Sequence, residues 1–211
     1  MTGVLVGFYT WKLTYEAGSP AYTVPVKMVA GRPVVDLKIM TVAAIGPKLS
    51  QNPDWVSYLI HTTNGGWKRE TVWNLPANAT IHATIYNFDG KSGLRNPYLA
   101  RPQGIVGNQI VVKGKALNAI DPNDASHTFA VPQLGVIVAI PGVGDNAAHQ
   151  CGFAPCSMSS AHVTVHFTFH TTTPGHYRWQ CFVPCAAGWI DGFGGPMQTI
   201  GYMDGFLNVK A

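Results

Sequence analysis

Two stretches decide how this chain reads: Asp121-Pro-Asn-Asp-Ala-Ser-His127-Thr-Phe-Ala-Val-Pro-Gln-Leu-Gly-Val136, and Pro174-Gly-His-Tyr-Arg-Trp-Gln-Cys181-Phe-Val-Pro-Cys185. In the first, a polar turn leads into alternating apolar residues, with His127 at the entry of the strand. In the second, a Pro-Gly turn opens a strand that runs into C-x3-C. Between them lies Val163 to Phe169, the clearest strand of the chain. Val163, Val165, Phe167 and Phe169 alternate there with Thr164, His166 and Thr168, the period of a strand with one buried face.

Further strands are predicted over Val34–Val42, Val56–Ile60, Thr80–Tyr86, Gln109–Val112, Thr128–Val131, His176–Val183 and Phe206–Val209. Turn signals such as Asn64-Gly65-Gly66, Asp89-Gly90 and Pro141-Gly142 separate them, and no amphipathic helix interrupts. Many short strands, with 23 Gly and 15 Pro, predict an all-β, Greek-key antiparallel β-sandwich. Long loops are expected around 88–108 and 141–160. Nothing resembles a linker, so residues 1–211 read as one domain, with 71–211 its core and 1–70 an N-terminal β extension of no recognised type.

Composition excludes some functions. Only 11% of residues are charged, against about 25% in ordinary soluble domains. The net charge of +4 is scattered along the sequence rather than clustered, which argues against nucleic acid. The sparse charge suits an exported protein. The apolar stretch Gly3 to Phe8 is too short for a membrane span and lacks the basic flank of a signal peptide. If the protein is exported, the sequence is a mature or truncated form. No hydrolase constellation and no phosphate-binding glycine loop occurs. Asn78-Ala79-Thr80 fits a glycosylation sequon.

The chemistry-bearing residues are sulfur and imidazole. Cys151, Cys156, Cys181 and Cys185 form C-x4-C and C-x3-C pairs, which admit metal ligation or disulfides. Neither is the C-x2-C of zinc knuckles. His162, His166 and His170 share the polar face of one strand, but successive members stand about 13 Å apart at the rise of a strand. They cannot share an ion and read as solvent-facing or interfacial. His61, His82 and His149 have no partner visible in the sequence.

Taken in order, the His127 segment, the Ile140-Pro141-Gly142 loop, the alternating strand and the Pro-Gly-…-Gln-Cys-x3-Cys loop resemble the copper-binding domain of subunit II of haem–copper oxidases, a cupredoxin. The resemblance covers 121–185, and more loosely Leu75-Pro76-Ala77 and Thr80–Tyr86. It implies a cupredoxin fold with copper held by His127, Cys181 and Cys185, and a carbonyl ligand at Val183. Where that family has its second His and its Met, this sequence has Trp189 and Gly192. The related mononuclear pattern, a Gly-rich ending before the last strand, is similar to Gly201-Tyr-Met-Asp-Gly205 and implies Met203 as weak axial donor. No His follows His176, so a third strong donor would come from His149 or His176, and His176 falls on the opposite face of its strand from Cys181.

The resemblance implies an extracytoplasmic copper-binding electron-transfer protein or an oxidase-associated cupredoxin module, an electron carrier or accessory subunit rather than a stand-alone enzyme. Its partners would be a redox protein or a membrane oxidase complex. The alternative is a copper-free cupredoxin acting as a structural or partner-binding subunit. In that reading the four cysteines form two disulfides of open connectivity, and the aromatics near that corner, Trp179 and Trp189 among them, serve either as a docking patch for a protein or as core. In either reading, the 141–160 loop is expected to pack beside the 181–203 loop, bringing the two cysteine pairs within disulfide reach.

Overall fold

In the computed structural model, residues 3–8, 20–46, 48–49, 54–93, 96–185 and 195–211 are described. Fourteen strands follow in chain order: β1 (Ala21–Thr23), β2 (Val26–Val29), β3 (Arg32–Val42), β4 (Ser57–Thr62), β5 (Gly66–Lys68), β6 (Val72–Pro76) and β7 (Thr80–Asn87). Then come β8 (Ile110–Val112), β9 (Lys115–Leu117), β10 (Ala125–Val131), β11 (Val136–Pro141), β12 (Val163–His170), β13 (Gly175–Gln180) and β14 (Asp204–Lys210). They form two sheets, one ordered β1-β6-β14-β13-β10-β11 and the other β5-β4-β3-β7-β12-β8-β9, with β2 also on β3. This is the two-sheet β-sandwich expected. The sheets are mixed rather than purely antiparallel, however: β1·β6, β6·β14 and β3·β7 run parallel.

Alternation sets the core. On β12, Val165, Phe167 and Phe169 face inward, and their antiparallel partners on β7 are Ile85, Ala83 and Ile81. The polar stripe of the same pair faces out and bonds across the strands, His82 Nδ1 to Thr168 Oγ1 at 2.9 Å and Thr84 Oγ1 to His166 Nδ1 at 3.0 Å. The strand histidines are therefore solvent-side residues, as their spacing predicts.

Aromatic rings bridge the two sheets. Phe129 of β10 meets Phe167 and Phe169 of β12 at 5.9 and 6.0 Å between centroids, and Trp179 of β13 meets Tyr58 of β4 at 4.9 Å. Trp179 also stacks on Trp73 at 5.0 Å. Truncating rings buried this deeply costs about 3–5 kcal/mol each, so this end of the sandwich is rigid. Close approach adds to it. Gly205 lies where a Cβ would land on the Thr71 carbonyl and the Trp179 indole nitrogen, which donates to that carbonyl at 3.0 Å.

The long loops are present, and much of the 181–203 loop, beside which the second was expected to pack, lies outside the described residues. The Cys151–Cys156 part of the second packs on the outer side of β3 and β4, where Ala154 and Cys156 cluster with Met40, Val42, Leu59 and Phe88. The Ala154 N–H donates to the Ala44 carbonyl at 3.1 Å. Among the described residues no helix is long and apolar enough to cross a membrane.

Candidate metal centre

Strand β10 is buried at all seven positions, and its register with β11 shifts between Ala125 and His127. Such an irregularity re-aims side chains at a strand end. Beyond it His127 lies on the inward side with Phe129 and Val131, 1% exposed at the rim of the core. Cys181 comes directly after β13. Its N–H donates to the Met203 carbonyl at 3.0 Å, extending the ladder with β14 by one rung. The chain then turns tightly, with the Cys185 N–H donating to the Val183 carbonyl at 2.7 Å. Thr128 fastens that turn to β10: its Oγ1 accepts the Phe182 N–H at 2.7 Å, and its own N–H points at Cys181 Sγ at 3.4 Å.

The outcome is one compact donor set. One ring nitrogen of His127 and the two Sγ atoms of Cys181 and Cys185 all lie within 4.8 Å of one another. The sulfurs are 3.3 Å apart, and Cys181 Sγ is 3.6 Å from the Val183 carbonyl. His127 and Cys181 are buried, while Cys185 is half-buried and forms the solvent side.

Electrostatics bind the group together. His127 Nε2 stands 3.1 Å from Asp89 Oδ2. The contact is at ion-pair distance but off the hydrogen-bond line, so neither buried ring nitrogen has a well-formed hydrogen bond. Burial alone would push the imidazole pKa down, but Asp89 and Cys181 outweigh it and lift it to about 9. Burial likewise opposes ionisation of Cys181, yet Cys185, His127 and the Thr128 N–H hold its thiol well below the usual range. The hydrogen bond to Cys181, with burial, keeps Cys185 a thiol, pushed far up. Burial and the two sulfurs raise Tyr58, whose hydroxyl donates to the Thr128 carbonyl at 2.9 Å.

The residues fit a metal. Two sulfurs and an imidazole are a soft, copper-type donor set, and the buried His127 Nδ1 has no protein partner. Of the residues singled out from sequence, His127, Cys181 and Cys185 come together. Met203 is fully buried in the same core cluster as Cys181, tied to it through its backbone carbonyl. His149 is exposed with φ 59°, and His176 is exposed and stacked on Phe206 at 4.0 Å, so neither is in the cluster. Trp189 and Gly192 lie outside the described residues.

One expectation is corrected. The disulfide is local, Cys151 to Cys156 with Cα atoms 5.7 Å apart, and Cys181 and Cys185 are free. The reason is the path of the loop, which carries the first pair to the outer face of β3 and β4. Of the two roles weighed for the corner aromatics, Trp179 at 0% exposure takes that of core, while Phe182 is 37% exposed.

No family model matches the chain, and no curated protein matches it. Among solved structures it is similar to the copper protein rusticyanin, at 17% identity and a TM-score of 0.38, covering 97% of this chain and 94% of that one. Rusticyanin from Thiobacillus ferrooxidans gives 19% identity and a TM-score of 0.35, with the same coverage. Auracyanin B gives 17% and 0.27, covering 92% of this chain and 100% of that one. These likenesses are remote, and the fold rests on the strand order and register described above.

Asp89 and Thr128 escaped the sequence reading. Asp89-Gly90 reads as a turn and nothing more, and it comes from a different part of the chain than His127. Thr128 adjoins a ligand candidate, and that adjacency is the one signal by which it could have been found.

Proposed function

We propose that this chain is a copper-binding electron-transfer protein working outside the cytoplasm, as a carrier or as a cupredoxin module of an oxidase. His127, Cys181 and Cys185 would hold the metal, with Met203, buried in the same core cluster as Cys181, as a weak further donor. The observation that carries the reading is the convergence of three donor atoms within 4.8 Å, two of their residues fully enclosed. Bound copper would supply a one-electron couple. The chain supplies a fixed ligand frame: β10 and the β13–β14 ladder hold the donors from rigid elements, which keeps their rearrangement between redox states small.

The location is supported by sulfur chemistry. A Cys151–Cys156 disulfide belongs to an oxidising compartment. There, two thiols with sulfurs 3.3 Å apart persist when a metal holds them. The copper-free, disulfide-stapled alternative has all four cysteines bonded, and Cys181 and Cys185 are free thiols.

The test is copper titration of wild type and His127→Ala, with thiols reduced and then under oxidising conditions. Wild type takes up stoichiometric copper with a thiolate-to-copper band in the visible, and His127→Ala loses that band while staying folded. A wild type that never takes up stoichiometric copper, even reduced, defeats the reading.

A further inference from the structure

We infer that Asp89 is the positioning residue of this centre: its carboxylate, at ion-pair distance from His127 Nε2, favours the ring orientation that leaves Nδ1 for the two sulfurs and sets a negative charge behind the imidazole. The inference rests on the copper reading above and assigns a role to a residue outside the ligand set.

The geometry starts with the carboxylate. Asp89 Oδ2 is 3.1 Å from His127 Nε2, with the Asp89 side chain 27% exposed and the His127 side chain 1%. Its other oxygen, Oδ1, accepts the Gly90 N–H at 2.7 Å. The backbone around it is fixed from two sides. The Asp89 N–H donates to Asn87 Oδ1 at 3.1 Å, and the Asp89 carbonyl accepts the Val143 N–H at 2.9 Å. Asn87, fully buried, accepts from Thr41 Oγ1 at 2.6 Å and donates to the Pro141 carbonyl at 2.8 Å. The same turn reaches β10, through the Ser92 N–H on the Ala125 carbonyl at 2.9 Å. A turn serving only to reverse the chain needs none of this. Here the turn that carries the carboxylate is anchored to the start of the strand carrying His127 and to the end of its neighbour β11.

Metal-bound histidines are oriented by a partner on the other ring nitrogen, commonly a carboxylate, which also makes the ring a stronger donor. With Nε2 on Asp89, Nδ1 is the nitrogen left for the sulfurs. The added negative charge favours the more highly charged copper state and so lowers the reduction potential.

The experiment uses full-length protein loaded with silver(I), a redox-inert stand-in for copper(I), and read by proton–nitrogen correlation spectra of the imidazoles. In wild type, His127 Nδ1 carries the metal shift, and Nε2 keeps a slowly exchanging proton. In Asp89→Ala that proton exchanges fast and silver affinity falls about 10–100-fold. Asp89→Asn, nearly isosteric, raises the copper reduction potential, and Asp89→Glu restores part of it. Metal on Nε2 in wild type overturns the inference. So do unchanged affinity in Asp89→Ala and an unchanged potential in Asp89→Asn. A wild type that binds neither silver nor copper defeats the copper reading, and this role with it.

Discussion

His127 and Cys185 each hold a proton at neutral pH that a bound metal must displace, His127 because Asp89 and Cys181 overcome its burial, Cys185 because it donates to Cys181. Metal uptake therefore releases protons. Below about 9, where His127 keeps its proton, the apparent affinity for copper falls as pH falls, and it rises as pH approaches that value. Calorimetric titration at pH 7 in buffers of differing ionisation enthalpy reads the release directly; an affinity flat from pH 6 to pH 9 would contradict it. Three members of the centre were legible in the sequence because a His at a strand entry and a C-x3-C after a Pro-Gly strand keep a recognisable order. Asp89 was not. Its contact with His127 exists only after the turn at 87–92 has docked on β11, and no spacing along the chain encodes that.

At the scale of elements, the Asp89 turn and the end of β11 meet backbone to backbone. A Cβ on Gly142 would lie 2.6 Å from the Gly90 carbonyl carbon and oxygen and from the Lys91 nitrogen. Gly142→Ala must push these segments apart. The expected cost is about 1–3 kcal/mol of stability, together with weaker copper binding although no ligand has changed. Denaturant unfolding and copper titration of the one variant test both effects, and full-strength binding would show that the turn and the centre are uncoupled. The strands with alternating patterns were readable, β12 above all. Strand β11 was missed because Val136-Ile-Val-Ala-Ile-Pro141 is a continuous apolar run with no period to find. The parallel pairing of β3 with β7 was missed for another reason: alternation reports which face is buried and is silent on the direction of the neighbour.

For the whole molecule, the sandwich was readable in its turns and periods, while the course of the 141–160 loop was not. Both cysteine pairs are close in sequence, and only the docking of residues 150–156 on the outer face of β3 and β4 decides that Cys151 finds Cys156. The short loop this bond closes is worth about 2 kcal/mol by the chain-entropy model. The double variant Cys151→Ser, Cys156→Ser should lose about that much in thermal or denaturant unfolding and bind copper as wild type does. Loss of copper binding would mean that the two sulfur pairs are coupled across the molecule.

The ring contacts that tie the sheets together also give the molecule an optical character. Trp73 and Trp179 are both sealed from water and stacked 5.0 Å apart with their planes 17° from parallel, and Trp179 stands two residues before Cys181. Indoles so enclosed emit at the blue end of their range, and a pair so close couples its excited states, giving a signed doublet in the far-ultraviolet dichroism. A copper–thiolate chromophore at Cys181 would drain that emission at once. The fold thus carries its own lamp beside the sulfurs, one that dims as the centre fills.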